Sequence, residues 1–259
     1  MPAAPADDAR DNPGQLTLRS TIATPDGKRR YVRRLFATIA DRYDFITRFL
    51  SYGQDRRWKA RLIQRAAIAR TDRVLDLACG TGDLTFAAAV RASRVVGLDL
   101  THRMLQLANA RHQNRNGVGG HLKRTAFVCG DMLALPFPSA AFDVVTTGYG
   151  LRNVPDLPAA LQEIHRVLAP GGRILSLDFN RPDNPLLRTA YLAYLTAVGS
   201  ALGFALHRDP DTYRYIPESI RQYPGAAGVA AMMRDVGFAD VKVEPLLGGL
   251  MAIHVARRT

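Results

Sequence analysis

The chain has 259 residues, 47% of them hydrophobic and 22% charged, and a formal net charge of +12. That length holds one large α/β domain with a small embellishment, and the balance is that of a folded chain. Cys79 and Cys129 are the only cysteines. A disulfide-stapled scaffold and a Cys/His metal site are therefore excluded, no metal is expected, and a reducing, cytoplasmic setting is the default.

Residues 1–27 are rich in Ala, Pro and Asp, lack a basic start followed by an apolar core, and read as a disordered leader. Residues 28–259 read as a single domain. Between Lys28 and Arg73 stand fourteen Lys or Arg against four Asp, about +10 in one segment. Such a patch suits an anionic partner, either nucleic acid or an acidic membrane, or reflects no more than an arginine-rich composition. Two helices are expected here. Val32, Leu35, Phe36, Ile39 and Tyr43 recur at helical spacing, and a second helical stretch runs from Trp58 to Ala69 after the Gly53 break.

The rhythm then changes. Arg73 to Ala78 reads as a buried strand ending at a glycine turn, Leu84 to Val90 as a helix, and Arg94 to Asp99 as a second strand. Thr101 to Arg111 is expected as a helix with Thr101 as its N-cap. Strands follow at Ala126 to Cys129 and Phe142 to Thr147, then a helix from Leu157 to Leu168 stopped by Pro170-Gly171-Gly172, then a strand from Arg173 to Phe179. Strands alternating with helices in this way imply right-handed crossovers and a parallel sheet. After a helix from Gly228 to Gly237, Asp240 to Val243 and Leu250 to Val255 are strands joined by so short a link that they must be antiparallel. The fold expected is a Rossmann-like α/β class with a seven-stranded, mostly parallel sheet, an antiparallel last strand and N-terminal helices. Residues 181–224 are too long for a plain connection and read as a helical insert covering the pocket. Within them Thr189 to Leu206 carries no charge, which fits a buried or interfacial helix better than a span.

Asp76-Leu-Ala-Cys-Gly-Thr-Gly-Asp83 follows the first strand and opens a helix. Gly80 and Gly82, with Thr81 between them, let backbone approach a ligand closely. Asp99, with Leu100 after it, closes the next strand where a carboxylate can accept both ribose hydroxyls. Thr85 stands at the third glycine position of a dinucleotide fingerprint, so a pyrophosphate cradle is missing. Asp76 instead suits the cationic amino-acid end of S-adenosylmethionine, and Asp131, with Met132 beside it, is placed to meet the adenine amino group.

The segments Leu35-Phe-Ala-Thr-Ile-Ala-Asp-Arg-Tyr-Asp44, Leu50-Ser-Tyr-Gly53, Trp58-Lys59, Tyr149-Gly-Leu-Arg-Asn-Val154 and Asp211-Thr-Tyr-Arg-Tyr-Ile-Pro-Glu-Ser-Ile-Arg221 are similar to one known family. Together they resemble the ubiquinone/menaquinone biosynthesis C-methyltransferases, which are class I S-adenosylmethionine-dependent enzymes, from about Tyr31 to the C-terminus. Ile46-Thr47 stand where that family usually has Met-Asn, Asp55 where it has His, Asp178-Phe179-Asn180 where it has Glu-Phe-Ser, and Cys79 where many members have Gly. The resemblance implies cofactor contacts at Thr81, Asp99, Asp131, Met132 and Gly148, and residues around a ring acceptor at Tyr43, Arg152 and Asn153. It also implies the reaction: methylation of a ring carbon of a demethylated polyprenyl quinol, demethylmenaquinol or 2-methoxy-6-polyprenyl-1,4-benzoquinol.

That carbon is a poor nucleophile until the neighbouring hydroxyl loses its proton, and a phenol has a pKa of about 10. A guanidinium holds its proton too firmly to be a base. Arg152 is therefore expected to stabilise the phenolate while water carries the proton away, with Asn153 and Tyr43 orienting the ring hydroxyl. Plainer readings stand beside these. Tyr43 could close the apolar face of its helix, Arg152-Asn153 could cap the helix after Pro155, Asp178 could simply end a strand, and Cys79 could serve packing. Rival functions are methylation of another phenolic small molecule of secondary metabolism, methylation of RNA, and a non-catalytic subunit. The chain shows no aromatic and basic interleaving of the kind single strands need, so nucleic acid is not expected as a partner. Peripheral contact with the inner face of an anionic cell membrane and a homodimer are compatible with the quinol reading.

Overall fold

The computed structural model describes residues 13–116, 125–209 and 212–259. Five strands run parallel: β1 (Arg73–Leu77), β2 (Arg94–Asp99), β3 (Thr125–Cys129), β4 (Phe142–Gly148) and β5 (Leu168–Phe179). They join β6 (Phe238–Leu246) and β7 (Met251–Arg258) in one sheet of order β3-β2-β1-β4-β5-β7-β6. The last strand is antiparallel, as expected, and it lies between β5 and β6 rather than at the sheet edge.

Adjacent residues of a strand face opposite ways, so each central strand feeds two cores. Val74 and Val144 pack under α4 (Asp55–Ala66) and α5 (Asp83–Ala89). Leu75 and Val145 pack on the other face under α7 (Leu157–Val167) and α10 (Gly225–Val236). α6 (His102–Asn116) lies against β2 and β3. Pro170-Gly171-Gly172 lies inside β5, where it makes a register shift against β4 instead of a separate turn after the helix.

A third apolar cluster sits over the carboxyl ends of the strands. It joins α1 (Pro13–Ile22), α2 (Pro25–Ile39) and α3 (Tyr43–Leu50) to the buried Tyr213 and Tyr215. α8 (Pro185–His207) and α9 (Tyr215–Gln222) complete this cap through Tyr191, Leu195 and Ile220. Part of the expected leader is therefore ordered: residues 13–22 are helical, because Leu18 and Ile22, one turn apart, bury against tyrosines almost two hundred residues away. Thr24 caps α2 by accepting from the Gly27 amide at 3.2 Å. Residues 1–12, the rest of that leader, and Asp211, which opens the Tyr-Arg-Tyr segment, lie outside the described residues.

Candidate functional site

The strand order reverses between β1 and β4, and open α/β sheets bind ligands in the crevice outside such a point. Two strained residues stand there. Ala78, just after β1, and Tyr149, just after β4, have φ of 50° and 62°, a region costly for residues with a side chain. Gly80 and Gly82 also take positive φ, and a Cβ on Gly82 would lie 2.7 Å from Phe86, so glycine is required where the turn feeds α5.

Asp99 locks this turn. Its carboxylate accepts from the Gly80 amide at 2.8 Å and the Thr101 amide at 2.7 Å, while burial raises its pKa. Beside it opens a cleft of about 710 Å³ lined by Gly80, Asp99, Leu100, Asp131, Met132 and Gly148, with Leu98 and Met104 as apolar wall. Asp131 accepts from the Leu133 amide at 2.9 Å and pairs with Arg29 of α2 at 2.9 Å.

Next to the cleft is a smaller, polar pocket of about 320 Å³ containing Lys59, Asp76, Thr81 and Asp83. Lys59 bridges Asp55 and Asp83 at 2.9 and 3.0 Å. Burial works against its charge, but the two carboxylates outweigh burial and its pKa is raised. Asp76 is wholly buried and accepts from the hydroxyls of Thr85 and Thr146 at 2.6 and 2.9 Å. Burial dominates those bonds and pushes its pKa up to about 6. Thr81 donates to Asp44 at 2.8 Å.

These surroundings fit S-adenosylmethionine. Apolar walls with a carboxylate at each end suit an adenosine, and a pocket holding both an ammonium and carboxylates suits a zwitterionic amino acid. The Oδ1 of Asn153 is buried without a hydrogen-bond donor, on a residue that lines the cleft. Gly82 alone of the expected contacts lines none of these spaces and acts through the turn.

A third cavity, of about 970 Å³, lies under the helical cap. Its walls are mostly apolar or aromatic, including Leu35, Ile39, Trp58, Phe179, Leu195 and Leu250, and among the described residues that line it Arg152 alone is charged. Tyr43 and Tyr149 border this cavity, the cleft and the polar pocket alike, so the three spaces meet at two phenols. Burial raises the pKa of both, and both remain neutral donors at physiological pH. Tyr149 donates to Asp55 at 2.7 Å and its amide donates to the Leu177 carbonyl at 2.7 Å, which holds the strained residue in place.

Arg152 sits in the short turn Leu151–Asn153, buried to 5% exposure. Its Nε and amide donate to the two oxygens of Asp178 at 3.2 and 3.1 Å, another guanidinium nitrogen donates to Ser219 at 2.7 Å, and the group lies 4.8 Å from the centre of the Phe179 ring. Lys28 supports the turn from α2 by donating to the carbonyls of Arg152 and Val154 at 3.1 and 2.8 Å. Burial, then repulsion from Arg152, lowers the Lys28 pKa to about 8 against the opposing pull of Asp178.

The fold thus brings Tyr43 and Arg152 to the apolar cavity and separates Asn153 from it. Asn153 donates to the Tyr149 carbonyl at 2.7 Å and lines the cleft instead. The capping role considered for Arg152-Asn153 falls to Asp156, which accepts from the Ala159 amide at 3.0 Å. Asp178 does more than end a strand. Lys28, Lys59, Tyr149 and Ser219 were missed from sequence as site residues, although the Trp58-Lys59, Tyr149 and Asp211 to Arg221 motifs contain three of them, and Asp178 was read only as a strand end.

Comparison with known proteins agrees with this geometry. A family model described as the ubiE/COQ5 methyltransferase family matches residues 24–258. A demethylmenaquinone methyltransferase of Thermus thermophilus is 41% identical over 226 residues, covering 86% of this chain and all of the relative. A ubiquinone/menaquinone biosynthesis C-methyltransferase UbiE of Azotobacter vinelandii is 40% identical, covering 88% of this chain and 89% of its own length. Among solved structures, a SAM-dependent methyltransferase of Thermotoga maritima, a possible histamine N-methyltransferase, superposes with a TM-score of 0.63 at 17% identity, covering 88% of this chain and 100% of that one. At that identity the likeness speaks for the fold alone.

Proposed function

This chain belongs to the ubiE/COQ5 methyltransferase family and is an S-adenosylmethionine-dependent methyltransferase, and on that premise we propose that it methylates a ring carbon of a demethylated polyprenyl quinol in quinone biosynthesis. The observation that carries this reading is the large apolar cavity, with Arg152 in its wall, joined to the cofactor spaces at Tyr43 and Tyr149. An aromatic head group with a long hydrocarbon tail suits such walls. An RNA strand, charged at every nucleotide, does not.

Asp99, Leu100, Asp131, Met132, Gly148 and Asn153 would hold the adenosine of the donor. Asp76, Gly80, Thr81 and Lys59 would hold its amino-acid end, with Gly82 shaping the turn. The donor supplies an electrophilic methyl carbon on sulfur. The protein's own task is to align the acceptor with it and raise the acceptor's electron density.

Ionising a phenol with a pKa of about 10 near pH 7.5 needs about 3 to 4 kcal/mol of preferential stabilisation. An unpaired guanidinium about 4 Å from the developing oxyanion would supply that order of energy at an effective dielectric constant near 20. The Asp178 carboxylate beside Arg152 offsets part of it, so Tyr43 must share the task. Arg152 is anchored on Asp178 and Ser219 and cannot swing away, so its charge is in place before the proton leaves. Tyr43 would donate to the ring hydroxyl, and water would take the proton. Asn153 would act from the donor side of the junction. The setting is cytoplasmic, with peripheral contact at the inner face of the cell membrane, where such an acceptor partitions.

Deleting the gene and measuring the cellular quinones by mass spectrometry tests the reading. Accumulation of a species lighter by one methyl, reversed by the wild-type gene, is expected; an unchanged quinone profile would refute it.

A further inference from the structure

Among the described residues, the exposed large hydrophobic side chains gather around the mouth of the apolar cavity. Phe45 and Phe49 of α3 stack on each other at 56% and 51% exposure, and Tyr52 follows at 62%. Leu186 and Phe204, at 81% and 67%, mark the two ends of α8, with Tyr194 between them. Val90 and Val243 lie elsewhere. α8 is packed on one face only, through Tyr191, Leu192, Leu195, Gly199 and Gly203. The exposed residues along it between Leu186 and Phe204 are Leu187, Thr189, Ala190, Ala193, Tyr194, Ala197 and Ala201, none of them charged. A solvent-facing surface of that length and polarity marks a contact site.

The two helices form one surface. The Tyr52 and Tyr194 rings stack at 6.3 Å and their hydroxyls are hydrogen-bonded, while Arg42 reaches the carbonyl of Leu206. Tyr52, Tyr194 and Leu247 are exposed and also line the cavity, so the surface runs directly into it. Exposed arginines border it: Arg48 between the two phenylalanines, Arg56 and Arg57 just beyond Tyr52, and Arg208 at the end of α8. Asp44 and Asp55, the acids on α3 and α4 near Arg48, Arg56 and Arg57, are engaged by Arg111 and Lys59, and the exposed Asp209 follows Arg208.

We propose that the α3–α8 face is a docking surface for an anionic lipid bilayer, which presents the cavity mouth to the acyl region. This deepens the quinol reading and rests on it, because an acceptor with a polyprenyl tail resides in the bilayer. α8 lies along the interface with its outward face in the lipid. Tyr52 and Tyr194 stand at headgroup depth, where a ring with one polar end is at home. The arginines extend to the phosphates, each contributing about 1 kcal/mol near an anionic surface.

The test is co-sedimentation of the full chain with vesicles of phosphatidylcholine alone, and with about 30% phosphatidylglycerol added. Binding is expected to the second kind and to weaken with salt. Leu186→Asp and Phe204→Asp line neither the cofactor spaces nor the cavity. Each is expected to lower vesicle affinity at least tenfold, by about 1.4 kcal/mol or more, while melting temperature and turnover of a tail-less hydroquinone stay unchanged. Equal vesicle binding by wild type and both variants would overturn the proposal. So would concentration-dependent self-association that the variants abolish in the absence of vesicle binding, since the face would then join two copies. Vesicle binding without methylation of any quinol would refute the acceptor reading and leave the docking surface standing; methylation without vesicle binding would do the reverse.

Discussion

On the donor side, most of the proposed contacts hang from strand ends, Asp76 on β1, Asp99 on β2, Asp131 after β3 and Gly148 on β4, with Lys59 of α4 beside them. On the acceptor side, much of the wall comes from α2, α3, α8 and α9, four helices held over the sheet by Tyr213 and Tyr215, and strand ends supply the floor through Tyr149, Phe179 and Met251. Hydrogen-bonded strands place polar groups rigidly, and one glycine turn suffices to bring a ligand to them. Helices packed by apolar contact supply volume and greasiness, and they can accept a long tail without dedicated polar groups. One molecule thus fixes a cofactor with its sheet and leaves acceptor choice to its cap. The two halves touch at Tyr43 and Tyr149, and Arg152 stands on the acceptor side.

If that division holds, changes at the acceptor cavity's cation should damage turnover and spare donor binding. Arg152→Lys keeps the charge and loses the planar fork that binds Asp178 and Ser219 together. We expect kcat to fall about a hundredfold with donor affinity within twofold of wild type, read by steady-state kinetics and calorimetry. Full turnover in that variant at every pH would break the assignment. Asp178→Asn tests how the cation is positioned. Removing one member of a pair with 5% and 1% exposure leaves the other charge buried and uncompensated, at a cost of about 3 kcal/mol. For a chain of this size that is a melting temperature lower by roughly 10 °C. Asp178→Glu, which matches the residue usual in the family, should recover part of both stability and kcat; a glutamate as damaging as asparagine would mean the site is merely packed around Asp178.

The donor half was legible in the sequence, and the acceptor half was legible only where a motif was long. Gly80, Gly82, Asp99 and Asp131 announce themselves because a tight turn needs positive φ and because strand ends repeat at regular intervals. Asp178 looks like any strand terminus until the fold lays Arg152 against it. Lys28 sat at the edge of a supposed leader, and its role exists only because α2 crosses the Leu151–Asn153 turn. Leu18 and Ile22 carried a one-turn apolar spacing, but a single turn is too little periodicity against a polar background. Asp55 stands where the family usually has histidine, and the structure gives the reason it works here: its carboxylate serves Tyr149 and Lys59 together.

Lys59 sharpens the boundary from the donor side. It sits in the polar pocket, 14% exposed, and should hold the donor's carboxylate while keeping Asp55 and Asp83 neutralised. Lys59→Met is expected to weaken donor binding by about thirtyfold, in the range of a lost charge-assisted hydrogen bond, with the acceptor KM little changed. A variant that shifted only the acceptor KM would place Lys59 in the other half.

Asp76 offers the subtlest separation, because its two consequences run in opposite directions with pH. Burial raises its pKa to about 6 in the folded chain, against 3.8 as the ordinary value. Between those values the native state holds a proton that the unfolded state has released. Stability of the donor-free protein should therefore decline as pH rises from about 4 to about 6, by up to roughly 3 kcal/mol, and stay level above. Donor binding requires the ionised carboxylate to meet an ammonium, so affinity should rise over the same window, about tenfold from pH 5 to pH 7. Calorimetric titration and thermal melts across that range should show the two curves crossing. Asp76→Asn should flatten both, being more stable than wild type at pH 8 while binding the donor more weakly. A variant in which stability flattened but donor affinity kept its pH dependence would take the ammonium away from Asp76 and leave it as a buried acid that only anchors Thr85 and Thr146.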